Sequence, residues 1–210
     1  MVPIIFIKRK NKMKVLIGTN NKAKIKKYST ILNELQIEYC TPEDLRLNMD
    51  IAETGTTPEE NSKIKVKAYY EATHMPTIVD DSALIIDGLP EDKQPGVFVR
   101  RHNGKRMTDE ESITLYSKEI EELGGKTTGT FIIALSVVDK NGNIHTNVIN
   151  HDRVFVSKPC KARNEGYPMN SLIYNEKTGK YLAETYEGQN IYKGSSFEKD
   201  YEFIKSVLLG

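Results

Sequence analysis

Two adjacent aspartates, Asp80 and Asp81, follow the β-forming run Thr77-Ile78-Val79. Neighbouring carboxylates repel unless a proton or a cation stands between them. With oxygen ligands only and a phosphate nearby, the natural cation is magnesium, which takes one or two carboxylates and completes its shell with water or substrate oxygens. Successive strand residues point to opposite faces, so a turn beginning at Asp80 is expected to bring both carboxylates to one cleft. Asp-Asp-Ser is equally ordinary surface-turn chemistry. A second signal is cationic. Lys22, Lys24, Lys26 and Lys27 crowd the start of an expected helix, where the macrodipole favours negative charge, and no carboxylate lies three or four residues from any of them. Such lysines and the helix amides form a phosphate cradle, to which Thr19, Asn20 and Asn21 add polar side chains. The plain alternative is a solvated basic face.

A second expected helix sharpens the pattern. Glu59 precedes Lys63 by four residues and Lys67 precedes Glu71 by four, which gives both lysines ordinary helical partners. Lys65 has none within its helix and is read as free to reach a phosphate, although an exposed lysine needs no partner at all. Glu53 stands in a loop whose Gly55 permits close backbone approach. Arg101 follows Pro95-Gly96-Val97-Phe98 and could clamp a phosphate bidentately or pair with any surface acid; the sequence leaves both open. The four histidines have no metal-ligand spacing, and there is no serine nucleophile elbow or Walker-type loop, so covalent catalysis is disfavoured.

The elements that position these residues read as an α/β fold with a mixed sheet. Lys14 to Thr19 predicts a buried strand, Lys22 to Leu35 a helix, Pro58 to Thr73 a second helix opened by a proline, and Thr77 to Val79 a short strand. Thr108 to Leu123 predicts a third helix with acids in its first turn. Thr130 to Val138, then Asn141-Gly142, then Ile144 to Ile149 predicts a β-hairpin. Ser196 to Leu209 is helical in pattern. A chain of 210 residues with 30 basic and 29 acidic side chains has no global field that points to nucleic acid or an anionic membrane. Cys40 and Cys160 match no zinc spacing, no apolar run approaches the ~20 residues of a membrane span, and a cytoplasmic location fits. Residues 1–12 are read as an extension and 13–210 as a single domain.

Four segments, Thr19-Asn20-Asn21-Lys22-Ala23-Lys24, Glu53-Thr54-Gly55-Thr56 with Glu60-Asn61, Asp80-Asp81-Ser82-Ala83-Leu84, and Pro95-Gly96-Val97-Phe98-Val99-Arg100-Arg101, resemble the inosine triphosphate pyrophosphatase family in order and spacing. The resemblance implies an elongated mixed β-sheet with flanking helices forming two lobes around a central cleft, and a homodimer. It implies magnesium-dependent hydrolysis of a nucleoside triphosphate, inosine or xanthosine triphosphate above all, to a monophosphate and pyrophosphate. Thr19, Asn21, Lys24 and Lys65 would hold the triphosphate, with Ser82 and Arg101 also on the substrate. Glu53 and Asp80 would serve magnesium, and Asp81 would be the general base. A rival reading is a nucleotide-binding or regulatory protein that keeps the cradle without turnover; retention of all three acids favours the enzyme.

The last third departs from the family. Where relatives carry Phe-Gly-Tyr-Asp-Pro, this chain has Glu165-Gly166-Tyr167-Pro168-Met169, and the family's Ser-His-Arg falls near Gly194-Ser195-Ser196. The base-stacking ring and the purine-reading pair are therefore expected to be missing, with Tyr167, Tyr174 or Tyr192 supplying any stacking.

Overall fold

The computed structural model describes residues 13–102, 104–185 and 195–210. The expected 1–12 extension, Tyr192 and Gly194 lie outside the described residues. The chain builds a seven-stranded sheet in the order β2-β1-β3-β6-β7-β8-β9. It comprises β1 (Lys14–Ile17), β2 (Glu38–Cys40), β3 (Thr77–Ile86), β6 (Lys126–Val138), β7 (Ile144–Val156), β8 (Ile173–Asn175) and β9 (Lys180–Tyr181). A separate ribbon pairs β4 (Arg101–His102) with β5 (Lys105–Arg106). The helices are α1 (Lys22–Glu34), α2 (Pro58–Thr73), α3 (Asp109–Glu122), α4 (Leu182–Thr185) and α5 (Ser195–Leu209).

β1 is parallel to both β2 and β3, whereas β3, β6, β7, β8 and β9 run antiparallel in succession. Local chemistry sets the helix starts. Thr57 and Thr108 each form a capping box, with Glu60 and Glu111 respectively, and Pro58 occupies the first turn of α2. The hairpin foreseen at Asn141-Gly142 joins β6 to β7, with Asp139 accepting from the amides of Asn141 and Asn143.

The thirteen-residue strands β6 and β7 are each roughly 40 Å long, and this length splits the core. At one end α1 and α5 cover a face carrying Ile78, Leu135 and Val137 together with Val15 and Ile17, while α2 covers the opposite face over Val79 and Val138. At the other end α3 and the 164–172 segment close over Leu84, Ile86 and Phe155. The result is an elongated mixed sheet with two lobes and a cleft between them.

One expectation is corrected. Asp80 and Asp81 do not begin a turn: β3 runs on through Ile86, and the two aspartates pair in register with Leu135 and Ala134 of β6. The apolar residues after Ser82 and the backbone ladder to β6 carry the strand past both charges.

Candidate active site

If Asp80 and Asp81 point to opposite faces of a continuous strand, one cleft can reach both only around the strand's edge. That edge is open. β1 pairs with β3 only as far as Ile17 opposite Ile78, with the Gly18 amide donating to the Ile78 carbonyl. The next partner on the same side is Gly96, bonded to both backbone groups of Leu84. Between them the backbone of Asp80 and Ser82 faces a gap, because residues two apart in a strand present their amides and carbonyls to the same side. A cleft of about 410 Å³ occupies the gap, and Thr19, Asn21, Lys24, Glu53, Lys65, Asp80, Asp81, Ser82 and Arg101 all line it.

Each carboxylate has its own cation, delivered by the helix on its own face. From α1, Lys24 Nζ lies 3.1 Å from Asp80 Oδ1 and donates to the Asp80 carbonyl at 3.2 Å, filling part of the vacant edge. From α2, Lys65 Nζ donates to Asp81 Oδ1 at 2.7 Å and to Glu53 Oε1 at 3.2 Å. The reading of Lys65 as free is therefore corrected, as is that of Lys24. Helical spacing sees only neighbours on the same helix, and these partners arrive from a strand and a loop. Likewise Lys27 pairs with Asp200 of α5 at 2.5 Å, both largely buried, and Lys22 reaches Glu165 at 3.7 Å on the surface.

The two aspartates differ electrostatically. Burial pushes Asp80 up, but Lys24, Lys27 and Lys65 outweigh it and hold the carboxyl below the usual range. Burial also pushes Asp81 up, and there Lys65 and Lys24 only partly offset it, leaving the carboxyl above its usual value. Lys65 is itself held above the ordinary lysine range: its burial acts downward, but Asp81 and Glu53 prevail. Thus the pair splits into a firmly ionised carboxylate and a more basic one. Asp80 Oδ1 is paired with Lys24, whereas Asp81 Oδ2 is buried without a hydrogen-bond partner.

The remaining parts are backbone work. Asn21 caps α1, its Oδ1 accepting from the amides of Ala23 at 2.9 Å and Lys24 at 3.4 Å, and the Thr19 hydroxyl accepts from the Asn21 amide at 3.1 Å. Gly55 approaches the first turn of α2 so closely that a Cβ would lie 2.6 Å from Glu60 Cβ. On the far rim, Arg100 pairs with Asp109 and donates to the Gly166 carbonyl at 3.4 Å, while Asp109 accepts from the Gly166 amide at 2.8 Å. Gly166 has φ +83°, and a Cβ there would sit 3.0 Å from Asn21 Oδ1, so the 164–170 loop abuts the cap of α1.

The expected stacking residues separate. Tyr167 lines the cleft, whereas Tyr174 packs edge-on against Tyr181 and does not. Phe98, 54% exposed, lines the mouth; the sequence placed it and Arg100 in a motif without giving either a role, and left Arg106 and Asp200 unread. For the arginines a signal existed in the basic density from Arg100 to Arg106; for Asp200 none did, since its partner is set by how α5 docks.

Fold and cleft together define an α/β protein whose sheet, opened at one strand edge, presents paired carboxylates and lysines between two lobes. The chain belongs to the Ham1 family, whose model matches residues 15–189, and the resemblance drawn from the four motifs is borne out at that level. A Leptospira interrogans protein named dITP/XTP pyrophosphatase is 36% identical over 132 residues, 62% of this chain and 64% of that protein, so the match spans less than two thirds of that relative's length. A Bacillus cereus protein of the same name is 26% identical over 205 residues, covering 95% of this chain and 98% of its own. Among solved structures, a HAM1 protein from Coxiella burnetii superposes with a TM-score of 0.73 at 24% identity, covering 93% of this chain and 98% of its own. The Staphylococcus aureus Ham1 protein gives 0.71 at 21%, covering 92% and 98%. Both show the same fold. Among the described residues no helix is long and apolar enough to cross a membrane.

Proposed function

We propose that this chain hydrolyses nucleoside triphosphates to the monophosphate and pyrophosphate with the help of magnesium. The observation that carries the reading is the open edge of β3, where Asp80 and Asp81 meet one cleft from opposite faces under Lys24 and Lys65. The names of the curated relatives, dITP/XTP pyrophosphatase, support the reaction class and a deaminated purine base.

The donor set fits a hard cation. Asp81 Oδ2 is buried without a hydrogen-bond partner, Asp80 Oδ1 faces the cleft beside Lys24, and no cluster of three ligating side chains occurs among the described residues. Such a site suits a cation held by one or two carboxylates plus substrate oxygens, not an all-protein cage. Glu53 and Asp80 would hold magnesium, which when bound neutralises charge on the phosphoryl oxygens.

The chain's own residues do the rest. Thr19, Asn21, Lys24 and Lys65 bind the triphosphate, with Ser82 and Arg101 beside them, so that charge in the transition state meets preplaced donors. Asp81, the more basic carboxylate, takes a proton from water as its oxygen attacks the α-phosphorus. The bond between the α-phosphorus and the bridging oxygen breaks, and pyrophosphate leaves. The homodimer rests on the family resemblance and is checked by sedimentation. Pyrophosphate release measured across ordinary and deaminated triphosphates, with and without magnesium, tests the reading. Turnover that needs magnesium supports it; nucleotide binding without turnover would favour the regulatory rival.

A further inference from the structure

The charges lining the cleft are unevenly spent. Lys24 is matched by Asp80, Lys65 by Asp81 and Glu53, and Arg100 by Asp109. Among the described residues, the lining cations with no carboxylate partner are Arg101 and Arg106. They sit directly opposite each other in the β4–β5 ribbon, and the ribbon's other cross-strand pair is His102 with Lys105. All four side chains are exposed. Like charges facing across two strands repel, and a ribbon this short has no apolar face of its own to offset the repulsion. A bound anion between the two guanidinium forks would reverse the sign of that interaction.

We propose that Arg101 and Arg106 form a pyrophosphate clamp that holds the β- and γ-phosphates of the substrate and, after cleavage, the released pyrophosphate. The inference rests on the triphosphate reading above and adds to it the end of the substrate that each rim takes. If attack occurs at the α-phosphorus beside Asp81, negative charge develops on the departing pyrophosphate. The lysines near that point already share their charge with three carboxylates, so the uncommitted charge for the leaving group comes from the ribbon. Paired guanidiniums suit this task, because each can offer two parallel N–H donors to one phosphate.

The probes are inorganic pyrophosphate and tripolyphosphate, titrated calorimetrically into the full chain with magnesium present, alongside a nucleoside monophosphate. Arg106→Ala should weaken both inorganic probes by about tenfold or more, as for loss of a charged hydrogen-bonding partner, and leave the monophosphate unchanged. Arg106→Lys should recover part of the loss. Arg101→Ala combined with Arg106→Ala should cost less than the two single losses multiplied together, since both forks grip one group. The clamp is overturned if Arg106→Ala binds pyrophosphate like the unmodified chain, if the monophosphate weakens equally, or if the variant loses affinity only for a single-stranded oligonucleotide. Pyrophosphate binding that depends on Arg106 in a chain with no triphosphate turnover would sink the hydrolase reading and leave the clamp standing.

Discussion

The two rims of the cleft handle charge in opposite ways. On the β3 rim, Asp80, Asp81, Lys24 and Lys65 are largely buried and bonded to one another across three elements. On the ribbon rim, Arg101 and Arg106 are exposed and face each other without an acid between them. Buried, paired charges are fixed in place, and fixed dipoles are what stabilise a transition state. Exposed, unpaired charges are adaptable and screened by salt. One rim is therefore suited to chemistry and the other to capture.

The comparison is broken most severely at Asp81. Asp81→Asn should lower kcat by roughly 10² to 10⁴ while nucleotide still binds, as for loss of a general base; a pre-steady-state measurement of pyrophosphate release checks it, and unimpaired turnover removes Asp81 from the role. Next comes stability. Removing one partner of a buried pair leaves the other uncompensated, so Lys24→Ala and Lys65→Ala should each destabilise the fold by about 3 kcal/mol in urea unfolding and also weaken triphosphate binding. Equivalent substitutions at Arg101 and Arg106 should leave stability within about 0.5 kcal/mol. Equal losses on both rims would erase the distinction between them.

Specificity gives a smaller effect. Glu165 points to Lys22 on the surface, and no purine-reading His-Arg pair is present at the tail. Stacking alone is tolerant of base identity, so kcat/KM for inosine triphosphate should exceed that for ATP by no more than about tenfold, far below what a hydrogen-bonding base reader achieves. A strong preference for inosine and xanthosine triphosphates would show that another side chain reads the base. Phe98→Ala should raise KM for all nucleotides alike by a cost of about 1 kcal/mol or more if the exposed ring stacks on the base.

The smallest effect is on pH dependence. His151 on β7 is held below the usual imidazole range by burial, then by Arg153, Lys27 and Lys199. Below about pH 6.5 the unfolded chain takes up a proton that the folded one refuses, so stability falls with falling pH. His151→Asn should flatten that part of the curve in unfolding experiments at pH 5 and 7.5.

Much of this was legible in the sequence. Proline in the first turn and the strand that follows placed α2 at its observed bounds, and Asn-Gly marked the β6–β7 turn. The cradle lysines, the three acids and Arg101 were singled out before any geometry, and the structure gathers Lys24, Lys65, Glu53, Asp80, Asp81 and Arg101 on one cleft. What misled was locality. Two acids in a row read as a turn, because only the ladder to β6 reveals that the strand continues. Lys24 and Lys65 read as free because their partners are distant in sequence. Arg106 went unread because its meaning lies in standing opposite Arg101 on another strand.

The gap beside β3 has a consequence for motion. Ser82 keeps its amide and carbonyl turned toward a place where a strand would ordinarily lie, so the sheet is one neighbour short at its middle. A substrate laid along that edge would act as the missing neighbour. The Ser82 amide, without a strand partner on that side, should exchange with solvent faster than the β3 amides bonded to β6. If nucleotide lies along that edge, protection of the Ser82 amide in hydrogen exchange should rise when nucleotide binds and fall when it leaves.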